Sequence, residues 1–218
     1  MSTQNKFKSA NNAFEYYYYL INHLGKVVGN TKTIYNVGFL IENPMDNDIK
    51  TPWRKFNKEY AEYEFNWYLS KNRSVENIKQ RAKIWDTMHS GDNIVNSNYG
   101  WQWSRNNQLD YVVSELERDN KSRRAVLTIY DGKEHDQYKY DTPCTLSIVF
   151  CIEDDKLCMT VTMRSNDLVF GFCNDQYCFS KLQKMVALRL NKEVGWYYHF
   201  AQNLHIYEKH FKLHEREI

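Results

Sequence analysis

The stretch Thr145-Leu-Ser-Ile-Val-Phe-Cys-Ile-Glu-Asp-Asp-Lys-Leu-Cys-Met-Thr-Val-Thr-Met163 decides the fold. Two β-branched-rich runs, Thr145 to Ile152 and Leu157 to Met163, flank Glu153-Asp-Asp-Lys156, which reads as a hairpin turn between two strands. Working outward, Ala125 to Tyr130 is a third short strand, and Gln176 to Leu190 is a helix burying Cys178, Phe179, Leu182, Met185, Val186 and Leu190. Asn106 to Asp119 places Leu109, Val112, Val113 and Leu116 at helical spacing. Thr33 to Ile41 reads as a strand. Before it, Phe14, Tyr17, Tyr18, Ile21 and Leu24 recur at helical spacing, with Gly25 as the stop. The Tyr16 to Tyr19 run is then half core and half surface. Helices laid against a sheet, rather than alternating βαβ units, predict an α+β fold. No linker-like or repetitive segment divides residues 1–218, which are expected to form a single domain.

Composition narrows the classes. Of 218 residues, 42% are hydrophobic and 16% aromatic, ample for a core. Lys and Arg number 29 against 27 Asp and Glu, a formal charge of +2, which argues against a nucleic-acid arm or a polybasic membrane anchor. No apolar run approaches the ~20 residues that span a bilayer. The Met1 to Ser9 stretch has no apolar core of signal-peptide type, so a soluble cytoplasmic protein is expected. The five cysteines, Cys144, Cys151, Cys158, Cys173 and Cys178, are odd in number and form no CxxC pair. Neither a disulfide framework nor a zinc or other metal site is expected, and one thiol is left open to be reactive.

Two features carry chemical interest. Cys144 opens a strand after Asp141-Thr-Pro143, and Arg164-Ser-Asn-Asp167 closes another with cationic and hydroxyl groups together. Each alone reads as ordinary, a small buried hydrophobe and a solvated turn. On a helix from Glu59 to Ser70, Tyr60, Tyr63 and Trp67 form one stripe, and Glu64 shares it. From the residues alone, that carboxylate snorkels at the edge or pairs with an arginine.

The ordered set Glu64-Phe-Asn-Trp67, Ile84-Trp85-Asp86, Tyr99-Gly100, Ser122-Arg-Arg124, Pro143-Cys144, Arg164-Ser-Asn-Asp167 with Gly171, and His205-Ile-Tyr207 with His210 resembles the thymidylate synthase family. It covers about Glu59 to Leu213. Within that family, Asn96-Ser-Asn-Tyr-Gly100 and Met163 to Asp175 look most like the deoxycytidylate hydroxymethylases of phages.

The resemblance implies a mixed β-sheet packed by helices, with the back of the sheet forming a homodimer interface. It implies that Cys144 attacks carbon 6 of a pyrimidine nucleotide, making carbon 5 nucleophilic toward the one-carbon unit of 5,10-methylenetetrahydrofolate. Arg164 would favour the thiolate and bind the nucleotide phosphate, with Ser165 donating a further hydrogen bond. Arg123 and Arg124 would reach the phosphate from the other subunit. Glu64 would organise water and move protons at the base. His205 and Tyr207 would hold the sugar hydroxyl, and Asp167, Gly171, Trp85 and Tyr99 would contact the pterin or shape its pocket. The family's amino-terminal phosphate arginine is replaced by a lysine, with Lys32 as the substitute. Thr145 after the nucleophile and Gln202-Asn-Leu204 before His205 depart from the synthases.

The same resemblance bears on base and product. The synthases carry a uracil-reading asparagine eight positions beyond the residue matching Asp167; the ungapped count gives Asp175 here, although a one-residue slip would give Asn174. An amide donates once and accepts once, whereas a carboxylate only accepts, which suits cytosine. The expected substrate is dCMP, and the expected product is 5-hydroxymethyl-dCMP. The chain stops at Ile218 without the segment that closes over folate in the synthases, which favours water over hydride in the final step. The same chemistry on dUMP, methylation, and a noncatalytic nucleotide or nucleic-acid binder are the alternatives.

Overall fold

The computed structural model describes residues 5–89 and 91–215. Met1 to Gln4 of the amino-terminal stretch, and Ile218, lie outside them. The hairpin read from Thr145–Met163 forms as expected. Strands β5 (Thr145–Glu153) and β6 (Lys156–Met163) pair antiparallel from Glu153↔Lys156 onward. Asp154 and Asp155 turn the corner at φ 49° and 60°, the left-handed geometry that a two-residue turn needs to match strand twist.

That hairpin sits inside a mixed sheet in the order β1-β3-β8-β6-β5-β4. The other strands are β1 (Asn5–Phe7), β3 (Thr31–Ile41), β4 (Val126–Thr128) and β8 (Glu193–Tyr207), with β2 (Lys26–Val28) on β3 and β7 (Asn166–Asp167) on β8. β8 runs parallel to β6 and antiparallel to β3. One sheet face is dry: Phe39 and Ile41, Leu157 and Met159, and Tyr197, His199 and Ala201 are all fully buried. On the alternate positions Leu40, Thr160, Thr162, Tyr198 and Phe200 are half-buried.

Helices α1 (Ala10–Leu24), α2 (Lys58–Leu69), α4 (Gln108–Arg118) and α5 (Cys173–Arg189), with the short α3 (Tyr99–Ser104), complete the core. Asn57 and Asn98 start α2 and α3 by accepting the N–H of Tyr60 at 2.9 Å and of Trp101 at 2.8 Å, a standard way to satisfy first-turn donors. α3 packs against α2 because residue 100 is glycine: a Cβ there would lie 1.6 Å from the Tyr68 carbonyl oxygen.

Three local expectations change. Leu24 ends the α1 stripe but is 71% exposed, because the chain turns at Gly25 before that residue meets the sheet. α4 starts at Gln108 because Asn106 and Asn107 adopt φ of 52° and 56°, outside the helical region. α5 starts three residues earlier than the periodicity indicated, entered through a wide π-helical turn over Leu168–Phe172.

Candidate active site

A cleft of about 960 Å³ is lined by residues of α2, α5, β7 and β8, among them Tyr60, Asn174, Asp167 and Tyr207, while Cys144, Arg164, Glu64 and Asp175 lie outside its lining. Cys144 lies half-buried just before β5. The loop that carries it is tied down from both sides. The Arg164 guanidinium donates to the Pro143 carbonyl at 3.0 Å and the Thr142 carbonyl at 2.8 Å, and its Nη2 is 3.8 Å from Cys144 Sγ. From the other side Asp141 accepts the N–H groups of Asn96 and Ser97, both at 2.6 Å. Burial pushes the Cys144 thiol up to about 11, opposed by the Arg164 charge and reinforced by Asp175 and Asp141. Arg164 thus acts in the expected direction, but burial outweighs it and the resting Cys144 is a thiol.

Two carboxyl groups face this region. Glu64, 5% exposed on α2, accepts from the Tyr68 hydroxyl at 2.7 Å, and its second oxygen has no partner among the described residues. Burial raises it to about 7, against the hydrogen bond from Tyr68. Neither snorkelling nor an arginine explains it. Such a group exchanges protons near neutrality. Asp175, in the first turn of α5, accepts from Asn166 Nδ2 at 2.9 Å. Burial, and next the Glu64 carboxylate, push Asp175 well above the usual carboxylate range, opposed by Asn166. Asp175 therefore keeps a proton more readily than an exposed carboxyl does, and while protonated it donates as well as accepts. Asn174 instead lines the open cleft, so the two neighbours point to different places.

The other expected residues divide. Asp167 and Tyr207 line the cleft, and Asp167 also caps the π-helical turn by accepting from the Val169 and Phe170 N–H groups. His205 pairs with Asp167 across β7 and β8, its ring 5.1 Å from that of Tyr207, and Ser165 is half-buried beside Arg164. Trp85 stands behind the wall, its indole N–H donating at 2.9 Å to the hydroxyl of Tyr60, which lines the cleft. Tyr99 is buried against Phe179, with ring centroids 5.5 Å apart. Gly171 faces the Asn166–Asp175 hydrogen bond. Lys32 does not join the group: its ammonium donates to the Asn22 carbonyl at 2.8 Å and sits over Phe211. Arg123 and Arg124 are exposed on the turn between α4 and β4, outside the cleft.

Sequence reasoning missed several participants. Tyr68 stands four residues after Glu64, the spacing at which helix side chains meet, and that signal was available. Arg54 is buried, donates to the Val169 carbonyl at 2.5 Å and stacks over Phe170 at 4.6 Å. With Lys55 and Lys83 it brings positive charge to a lining that also holds the apolar surfaces of Tyr60, Ile84 and Phe170. Among the described residues no group of three His, Cys, Asp or Glu is placed to hold a metal, and no helix is long and apolar enough to cross a membrane.

A sheltered cysteine against an arginine, with buried proton-exchanging carboxyls nearby, is the equipment of a one-carbon transferase that works by covalent catalysis. The thymidylate synthase family model matches residues 30–218, and the chain belongs to that family. It is 38% identical over 176 residues to the deoxycytidylate 5-hydroxymethyltransferase of Enterobacteria phage T4, covering 72% of this chain and 70% of that protein. It is 28% identical over 178 residues to thymidylate synthase 1 of Bacillus spizizenii, covering 78% of this chain and 62% of the relative. The thermostable thymidylate synthase A of Bacillus subtilis shares the fold, with a TM-score of 0.72 at 22% identity over 95% of this chain and 84% of that one.

Proposed function

We propose that the protein is a deoxycytidylate 5-hydroxymethyltransferase, acting as a homodimer across the back of the sheet. The observation that carries this reading is Asp175 itself, a carboxyl held by Asn166 and lying in the field of Cys144 and Glu64. The 38% identity to the phage T4 enzyme supports the same choice.

In this reading Arg164 and Ser165 bind the nucleotide phosphate, joined by Arg123 and Arg124 from a second copy of the chain. His205 and Tyr207 hold the sugar hydroxyl. Cys144 gives up its proton and forms a bond to carbon 6 of cytosine, and Asp175 delivers its proton to the ring nitrogen that becomes basic as the double bond opens. Glu64, poised at about 7, moves protons through water at the base. In the cleft the co-substrate would lay a flat ring system against Tyr60, Ile84 and Phe170, turn an anionic tail toward Arg54, Lys55 and Lys83, and meet Asp167, with Trp85 supporting the wall through Tyr60. 5,10-Methylenetetrahydrofolate supplies the one-carbon unit. The carbon 5 hydrogen would leave as a proton through Glu64 and its water as tetrahydrofolate departs from the attached methylene. Water would add to that carbon to complete the hydroxymethyl group. Release of Cys144, with the ring nitrogen returning its proton to Asp175, would restore the ring.

A second reading, the same chemistry on dUMP, is favoured by one observation: burial raises Asp175, and a carboxyl that keeps its proton presents one donor and one acceptor, as an asparagine would. The test is incubation with methylenetetrahydrofolate and dCMP, dUMP or CMP, with products identified by mass. Hydroxymethyl-dCMP is the expected product. A preference for dUMP would move the assignment to the second reading, and inert mixtures would remove both.

A further inference from the structure

Outside the groups used above, one buried pair has no part in the chemistry: Tyr197 and His199, both fully buried on the inward face of β8. The His199 ring lies between Phe39 and Phe172, at 5.2 and 5.1 Å between centroids. Its Nδ1 is 2.8 Å from the Tyr197 hydroxyl, and its Nε2 is 3.1 Å from Asn166 Oδ1. Asn166, 3% exposed, uses its Nδ2 on Asp175 Oδ2. Four side chains therefore form one unbranched line from the core to the group proposed to read the base.

With the Asn166 amide nitrogen facing Asp175, the line is satisfied by one arrangement of hydrogens. Burial holds His199 down at about 3, so the ring is neutral and carries a single N–H. Asn166 has turned its amide nitrogen to the carboxyl, so its oxygen faces Nε2, and Nε2 must be the donor. Nδ1 then accepts, and the Tyr197 hydroxyl donates to it. Flipping Asn166 requires the other ring tautomer, with Nδ1–H donating to Tyr197 and Nε2 accepting, and a proton on Asp175 Oδ2, so the tautomer of His199 reports which way the amide faces. Gly171 leaves room for the link: a Cβ there would lie 2.9 Å from Asn166 Nδ2 and 3.5 Å from Asp175 Oδ2.

We propose that His199 and Tyr197 are positioning residues for base selection: they lock the Asn166 amide so that Asp175 Oδ2 is always an acceptor and Oδ1 is left to the pyrimidine. The proposal rests on the reading of Asp175 as the base-recognising group. With Oδ2 committed, the carboxyl proton has one place to sit, on Oδ1, from which it passes to the cytosine ring nitrogen. Without the lock, Asn166 turns either way, and the carboxyl can present either pattern to either base.

Two measurements test it. In ¹⁵N-labelled protein, His199 is expected to show its hydrogen on Nε2 with no titration between about pH 5 and pH 8; a hydrogen on Nδ1, or titration in that range, overturns the lock. Kinetics of His199→Leu and His199→Gln on dCMP and dUMP then separate positioning from packing. The leucine variant is expected to lose about tenfold in its dCMP-over-dUMP ratio of kcat/KM and to shift its pH profile. The glutamine variant, which can place an N–H where Nε2 stood, recovers most of the ratio, and Tyr197→Phe falls between. The groups facing Asp175 that also shape this profile are Glu64, Tyr68, Tyr99, Cys144, Asp167, Cys173, Cys178 and Tyr197, and all but Tyr197 are unchanged throughout. Equal losses on both bases in the leucine and glutamine variants alike, with an unmoved profile, mean a structural role and overturn the proposal. A wild-type preference for dUMP overturns the deoxycytidylate assignment and with it the role in selecting cytosine, while the tautomer still decides the lock.

Discussion

Replacing Glu64 by glutamine should stabilise the protein, and only above a defined pH. The folded state raises this carboxyl from its ordinary 4.5 to about 7 through burial. Below 4.5 the group is protonated whether the chain is folded or unfolded, and it adds no pH-dependent term. Between 4.5 and 7 the unfolded chain releases a proton that the folded chain keeps, so stability falls as pH rises. At about 1.4 kcal/mol per pH unit the accumulated loss is about 3 kcal/mol, complete above pH 7. The glutamine cannot ionise, keeps an oxygen for the Tyr68 hydroxyl, and escapes that loss. For a chain of this length the difference corresponds to a rise in Tm on the order of 10 °C at pH 8, shrinking toward zero near pH 4.5. Denaturant and thermal unfolding of both proteins at matched concentration, at pH 5 and pH 8, measure it. A glutamine variant that gains nothing between the two pH values would refute the argument that Glu64 is a desolvated carboxyl retained at a cost to stability.

Asp175→Asn should raise kcat/KM for dUMP relative to dCMP. It should also flatten the pH dependence of dCMP turnover, because an asparagine has no proton to deliver to the ring nitrogen, whereas the wild-type carboxyl has one only below its raised pKa. An unchanged ratio would mean that another group reads the ring edge. Mixing Arg124→Ala subunits with inactive Cys144→Ala subunits should restore part of the activity, because one site of the mixed dimer then holds an intact cysteine and an intact partner arginine; additive inactivity would remove the shared site.

The fold was legible where local chemistry is strong. Alternating β5 and β6 with an Asp-Asp turn, and α4 with its apolar stripe, announce themselves over a few residues. β8, the central strand, left no assignment in the sequence reading, although Tyr197, His199 and Ala201 alternate inward. Its half-buried outer residues, among them Tyr198 and Phe200, are as aromatic as the inner ones, which blurs the period of two. The site divides in the same way. Cys144, Arg164, Glu64 and Asp175 stand in short ordered motifs, and the structure brings them together. The partners that set their protonation come from distant segments: Asp141 meets Ser97 across 44 residues, and His199 meets Asn166 across 33. Lys32 shows the converse, since a charge at a suitable position in the chain is engaged by the Asn22 carbonyl. Whether the Asp175 carboxyl carries a proton depends on its desolvation and its distance from Glu64, quantities that spacing along a chain does not contain.

The central claim is that Cys144 adds to carbon 6 of the pyrimidine, and solvent exchange at carbon 5 reports that addition directly. In deuterated buffer with dCMP and tetrahydrofolate, the wild-type protein should replace the carbon 5 hydrogen with deuterium, followed by the disappearance of its proton resonance, and folded Cys144→Ala should leave that resonance intact. Exchange that persists without the thiol, or a wild-type protein that leaves carbon 5 untouched, would contradict the account.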